Sequence, residues 1–241
     1  MIFDVNVSLG VWPFRPLRFT TPAGLFQHLA EYGITAGLVR SAAAPFTADL
    51  DAANVQLSQV CRGTDFIPVP AVRPEYGNWR ALLGGPAVAL YPTFHNFSLS
   101  APATLEMAAT LAASGTALVI ILREEDERGQ HPHCRIPSLP AREPDEFARR
   151  LPPATVMVLN GYLPEIVQWT APNLYSDFAF AEAFPSLPTL LKGFPAERLL
   201  FGSHSPFFYT SAAIAKLAGA ELDHKTIEKI QADNLKGIIY G

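Results

Sequence analysis

The chain is poor in thiols: its 241 residues include two cysteines, Cys61 and Cys134, and no Cys-x-x-Cys pair. That excludes a thiolate-held metal. Two isolated thiols suit a reducing cytoplasm and the role of small core hydrophobes. Basic blocks are missing as well. The formal net charge is −4, and without a concentrated positive face neither nucleic acid nor an anionic membrane is an expected partner. The longest apolar run, Ala117–Leu122, is far too short to span a bilayer. The opening Met1-Ile2-Phe3-Asp4 has no basic segment before an apolar run, so no secretory signal is expected. No Gly-x-Gly-x-x-Gly follows the first candidate strand, which argues against a dinucleotide site.

What the chain does have is apolar mass, 49% of its residues, enough to bury a sizeable core. Short apolar runs alternate with amphipathic stretches. The runs Ile2–Ser8, Thr35–Arg40, Phe66–Val72, Ala87–Tyr91, Ala117–Arg123, Thr155–Asn160, Leu174–Phe178 and Arg198–Gly202 read as strands. Most are continuously apolar, as expected when both faces of a parallel sheet are covered. Thr21-Pro22 opens a helix with Leu25, Phe26, Leu29 and Tyr32 on one face and Gly33 at its end. Thr47 and Ser100 are read as starts of two more helices, and Ser211–Leu217 as another closed by Gly219. The last helix carries Ile227, Ile230, Asn234, Leu235 and Ile238 along one side. Asn78–Leu83 and Leu163–Trp169 are expected to form weak helices, and Glu124–Pro144 the longest loop.

Strand-then-helix repeated eight times predicts an α/β fold: a single (β/α)8 TIM barrel over residues 1–241, with one or two short or irregular helices. A doubly wound open sheet is the structural alternative. In a barrel, reacting groups sit at the C-terminal strand ends. The first strand reads Asp4-Val5-Asn6-Val7-Ser8, the last reads Phe201-Gly202-Ser203-His204-Ser205-Pro206, and the final helix carries Asn234. Together these resemble the amidohydrolase superfamily, in particular its amidohydrolase-2, decarboxylase-like branch. That family opens with Asp-x-His-x-His and closes with Phe-Gly-Ser/Thr-Asp-x-Pro.

The resemblance implies a metal-dependent hydrolase fold, a homodimer, and a set of ligand positions that this chain has changed. The two first-strand histidines fall on Asn6 and Ser8, the fifth-strand ligand on Arg123, the sixth-strand histidine on Asn160, and the last-strand aspartate on His204. A catalytic zinc needs about three His or carboxylate donors and an open position. Asn and Ser are weak neutral donors and Arg123 brings a positive charge, so no metal is expected at the usual positions. His95, His131 and His204 are left as an alternative ligand set for a relocated zinc. His131-Pro132-His133 can equally be an exposed charged loop.

The expected barrel mouth is therefore Asn6, Ser8, Trp12, Arg40, Arg73, His95, Arg123, Asn160, Asp177 and His204. His204 is the candidate acid/base near neutrality. Asn6 and Asn160 would orient a substrate, and Arg123, Arg40 and Arg73 would hold an anion through paired hydrogen bonds. Ser8, Trp12, His95 and Asp177 would complete the pocket. Each Arg can instead pair with a structural acid such as Asp4 or Asp177, and His204 can be a structural histidine. The acidic run Glu124–Glu127 is read as a solvated loop or a salt-bridge partner for Arg128 rather than a catalytic cluster. His28 and His224 are read as surface or helix-packing residues. Two classes of function follow. One is a divergent hydrolase or lyase acting on a small, anionic molecule without the usual metal site. The other is a non-catalytic small-molecule-binding protein on the same barrel.

Overall fold

The computed structural model describes residues 1–133, 135–182 and 185–241; Cys134 lies outside them. Eight parallel strands run in chain order: β1 Ile2–Leu9, β2 Ile34–Ser41, β3 Phe66–Pro68, β4 Ala87–Leu90, β5 Ala117–Ile121, β6 Val156–Leu159, β7 Leu174–Asp177 and β8 Leu199–Leu200. Two ladders hold them, β1-β2-β3 and β4 through β8. Single bridges join the ladders at both seams, Ala71 to Ala89 and Val7 to Ser205. Backbone bonds Val72 N to Ala89 O and Val5 N to Phe201 O reinforce them. This is the (β/α)8 arrangement expected from the alternating pattern.

The strand sequences are apolar throughout because each strand packs on two cores. Val5, Leu38, Ala89, Val119, Ile121, Met157, Leu159 and Leu200 fill the inner face. Val7, Val39, Leu90, Ile120, Leu122 and Val158 pack outward against the helices. The helix Pro22–Glu31 starts as its sequence dictates: Thr21 accepts from Gly24 N at 3.3 Å, Pro22 sits at the first position, and Leu25 and Leu29 are buried. Cys61 is buried in the same outer core. Among the described residues no helix is long and apolar enough to cross a membrane.

Several expectations are corrected. The third strand is three residues long, because Pro68 and Pro70 lack the N–H that a ladder needs. The last is two residues long, since the chain turns into the left-handed region at His204 (φ 54°). Asp49, not Thr47, caps the second helix, Leu50–Cys61, accepting from Ala52 N. The helix expected from Ser100 runs Pro102–Ala113 with no side-chain cap. The stretch read as the longest loop ends in the helix Arg142–Arg149. The final helix is interrupted by a π turn at Lys229–Asp233 between His224–Glu228 and Asn234–Tyr240. Asn234 Nδ2 then reaches Ala196 O at 2.7 Å and Leu199 O at 2.8 Å, tying this helix to the base of β8.

Candidate functional site

Three local devices aim polar groups into the barrel. The β1–β2 register shifts between Asp4 and Val7, an irregularity that inserts one residue on β1 and turns Asn6 inward. Simple alternation places Arg40 two residues beyond Leu38 and Asp177 two beyond Tyr175, on the inner face. Asn160 (φ 68°) and His204 adopt left-handed backbone at the ends of β6 and β8, a conformation Asn accepts more readily than His.

Asn6 is the hub. Its Nδ2 donates to Asn160 Oδ1 at 2.6 Å and to Asp177 Oδ2 at 2.7 Å. Its Oδ1 accepts from Arg40 Nη2 at 2.7 Å and lies 3.2 Å from His204 Nδ1. Arg40 Nη1 donates to Glu124 Oε1 at 2.6 Å and to the Tyr91 hydroxyl at 3.3 Å. Asn160 N donates to Asp177 Oδ1 at 2.9 Å. Below this layer Asp4 Oδ1 accepts from Asn6 N and Ser203 N. Asn6, Arg40, Glu124, Asn160, Asp177 and His204 are each at most 2% exposed.

Burial sets the protonation states. It pushes Asp4 up to about 6 and raises Asp177, against hydrogen bonds that favour the ionised forms. It raises Glu124 too, with Arg40 pulling part of the way back. Burial opposes the charge on Arg40, but Glu124 more than offsets this and keeps the guanidinium charged. His204 is pulled down to about 3 by burial and then by Arg40. Its ring is therefore neutral at pH 7. The 2.8 Å contact with Glu124 O assigns the proton to Nε2 and leaves a bare Nδ1 facing Asn6 Oδ1. The expectation that His204 titrates near neutrality is corrected accordingly.

Arg123 lies beside this network and is 2% exposed. Its guanidinium is taken up by Glu165 through two bonds of 2.6 and 2.7 Å, by Ser138 Oγ at 2.8 Å and by Asn160 O, with the Tyr162 ring 4.0 Å below. Both buried arginines are thus paired with the chain's own carboxylates, Arg123 through two bonds and Arg40 through one. Arg73 is not in the cluster. It donates to the Tyr76 hydroxyl at 2.9 Å. His95 Nε2 donates to Ala44 O at 3.0 Å, and burial lowers its pKa to about 4. Trp12 packs with Phe14, Phe46, Phe94 and Phe207, and Phe207 stacks on His204 at 4.8 Å. This aromatic layer covers the strand ends. Among the described residues Ser8 Oγ, Trp12 Nε1, Arg40 Nε and Glu124 Oε2 are buried without a hydrogen-bond partner.

The relocated metal set does not assemble. His204 and His95 are engaged as above, and His131 is exposed, stacked on Phe14 at 6.3 Å. Among the described residues no three His, Cys, Asp or Glu side chains are grouped to hold a metal ion.

Neither a family model nor a curated protein sequence matches the chain. Solved structures do match its fold. The 2,6-dihydroxybenzoate decarboxylase from Rhizobium superposes with a TM-score of 0.70 at 13% identity, covering 98% of this chain and 99% of that one. The IDCase of Metarhizium anisopliae gives 0.75 at 11%, covering 99% and 97%. A dihydroxybenzoic acid decarboxylase from Polaromonas, with bound manganese and the inhibitor 2-nitroresorcinol, gives 0.73 at 13%, covering 99% and 97%. The chain shares the (β/α)8 barrel fold of these structures.

The metal implied by that fold does not fit the residues present here. At the positions that the sequence resemblance assigns to its ligands, Asn6 offers one neutral oxygen that already accepts from the Arg40 guanidinium. Ser8 is neutral, Arg123 is a cation, and Asn160 and His204 are tied into the polar network. A divalent cation beside two guanidiniums would meet repulsion in a medium that screens poorly.

Sequence reasoning missed Glu124, Tyr91 and Glu165. Glu124 and Glu125 belong to the acidic run read as solvated, yet they are 2% and 8% exposed. The available signal was position: Glu124 follows directly on a buried strand of a barrel, where a carboxylate needs a cation partner. Asp126, by contrast, pairs with exposed Arg128 as expected of a loop.

Proposed function

We propose that the chain is a binding barrel for a small anionic molecule that has given up the metal-hydroxide chemistry of its fold. The carrying observation is Arg40. Its guanidinium stands between Asn6 Oδ1 and Glu124 Oε1, so the strand-end centre already holds a cation, covalently attached. An arginine cannot activate a water as a metal does, because it offers donors and no open coordination position. His204, neutral, is engaged on Nε2 with Glu124 O.

The test combines metal analysis with turnover. Protein purified without a polyhistidine tag is expected to contain substoichiometric zinc and manganese. It is also expected to release no carbon dioxide from a panel of aromatic and aliphatic carboxylates. One mole of tightly held metal per chain would refute the reading. A second reading, a metal-free hydrolase or lyase for small anions, is favoured by the unpartnered Ser8, Trp12, Arg40 and Glu124 atoms. Turnover abolished by His204→Ala would establish it in place of the first.

A further inference from the structure

Between β1 and the helix Pro22–Glu31 the chain runs without regular structure. From Val11 to Thr20 no backbone group bonds to another backbone group among the described residues. Pro13 and Pro16 have no N–H to offer. Side chains hold the segment down instead. Trp12 and Leu17 are buried and pack with Phe207. The Trp12 indole N–H has no hydrogen-bond partner among the described residues, so its hold is apolar.

The polar hold comes from Arg15. Its Nε donates to Glu125 Oε1 at 2.6 Å and its Nη2 to Phe207 O at 3.1 Å, and its guanidinium carbon lies 5.5 Å from the Phe207 ring centre. Both partners adjoin the polar centre. Phe207 stacks on His204 at 4.8 Å and meets Trp12 at 5.0 Å. Glu125 follows Glu124, whose carboxylate takes Arg40 and whose carbonyl takes His204 Nε2. Arg15 thus ties its own segment to the loop after β5 and to the turn after β8. The pair is lopsided, with Glu125 8% exposed and Arg15 40% exposed. One partner is anchored in the protein and the other can swing into water. A segment without a backbone ladder, held by a few side chains, opens locally far more easily than the domain unfolds.

We propose that Val11–Thr20 is a strap that opens to admit molecules to the centre at Asn6, Arg40 and His204, and that Arg15 on Glu125 and Phe207 is its latch. Release of Arg15 frees the strap and Phe207 together and uncovers His204, which is otherwise fully buried. The strap works the same way whatever molecule the centre takes.

The test is carbethoxylation of the intact chain by diethyl pyrocarbonate at pH 7, read histidine by histidine by mass spectrometry, beside amide hydrogen exchange. In the wild type His204 should react far more slowly than His224, which is exposed. Arg15→Met should speed His204 about tenfold, the equivalent of one charge-assisted hydrogen bond, and leave His224 unchanged. Glu125→Gln keeps the shape of the carboxylate and should act in the same direction. The double variant should add little to Arg15→Met, since both changes remove one contact. Arg18→Met, an exposed change on the same segment, should have no effect. Exchange should rise across Val11–Thr20 and the turn after β8, and stay at the wild-type level in β5. An unchanged His204 rate in both Arg15→Met and Glu125→Gln would overturn the latch. Exchange rising equally in β5 would mean general loosening and would overturn it as well. Arg18→Met speeding His204 as much as Arg15→Met would overturn the assignment to Arg15.

Discussion

Replacing Arg40 by Met keeps most of the aliphatic stem and removes the charge. Glu124, 2% exposed, then loses its 2.6 Å partner at Oε1, and its Oε2 has none. Breaking one side of a buried ion pair costs about 3–5 kcal/mol, because the remaining charge is neither solvated nor paired. Asn6 Oδ1 and Tyr91 lose a donor as well, which puts the expectation toward the upper end. For a domain of this size each kcal/mol lowers Tm by about 2–4 °C, so a fall of roughly 6–20 °C is expected at pH 7. The pH dependence has a definite sign. Without Arg40, burial acts on Glu124 unopposed and its carboxyl rises further above the ordinary value. A raised acid is destabilising where it must ionise, so the deficit of Arg40→Met should shrink as pH falls through the raised value. Arg40→Met combined with Glu124→Gln should recover a large part of the loss, since two neutral groups replace an orphaned charge. Urea melts of the wild type, Arg40→Met and the double variant at pH 5 and 7 measure all of this. A single-variant cost below about 1 kcal/mol, or a double variant no more stable than Arg40→Met, would refute the account of Arg40 as the cation of the centre.

His204→Asn removes a buried neutral imidazole from a left-handed position that Asn tolerates. The ring is held down to about 3 from 6.5, so its contribution is full above pH 6.5 and lost as pH falls toward 3. The stability of the wild type relative to the variant should therefore drop by about 1.4 kcal/mol per pH unit from 6.5 to 4; parallel urea midpoints across that range would contradict this. Gly37→Ala should cost at least about 2 kcal/mol in chemical denaturation, because its Cβ would come within 2.2 Å of the Asp4 carbonyl across β1 and β2. Asn234→Ala should cost about 1–3 kcal/mol by leaving Ala196 O and Leu199 O without their donor, and hydrogen exchange near β8 should rise with it.

The barrel was legible in the sequence because it follows from period and composition. Eight apolar runs separated by amphipathic stretches admit few other arrangements; six strands lie within the stretches proposed, β1 extends one residue beyond its stretch to Leu9, and β2 extends one residue at each end, to Ile34 and Ser41. Ends were less legible. Pro68 and Pro70 shorten β3, and the final helix contains a π turn just before Asn234, whose contacts with Ala196 and Leu199 helical periodicity does not encode. The convergence of Asn6, Asn160, Asp177 and His204 was expected from strand-end position. The partners were not: Glu124 is adjacent to Arg123 in the chain and yet pairs with Arg40, eighty-four residues away.

By itself the sequence determined which residue types stand at the strand ends: a side chain's chemistry is local and travels with its letter. Only the tertiary structure decided whether the polar groups left there would wait for a ligand or satisfy one another. Whether a guanidinium meets an incoming carboxylate or one of its own depends on which strands become neighbours, and burial makes that pairing nearly obligatory once they do.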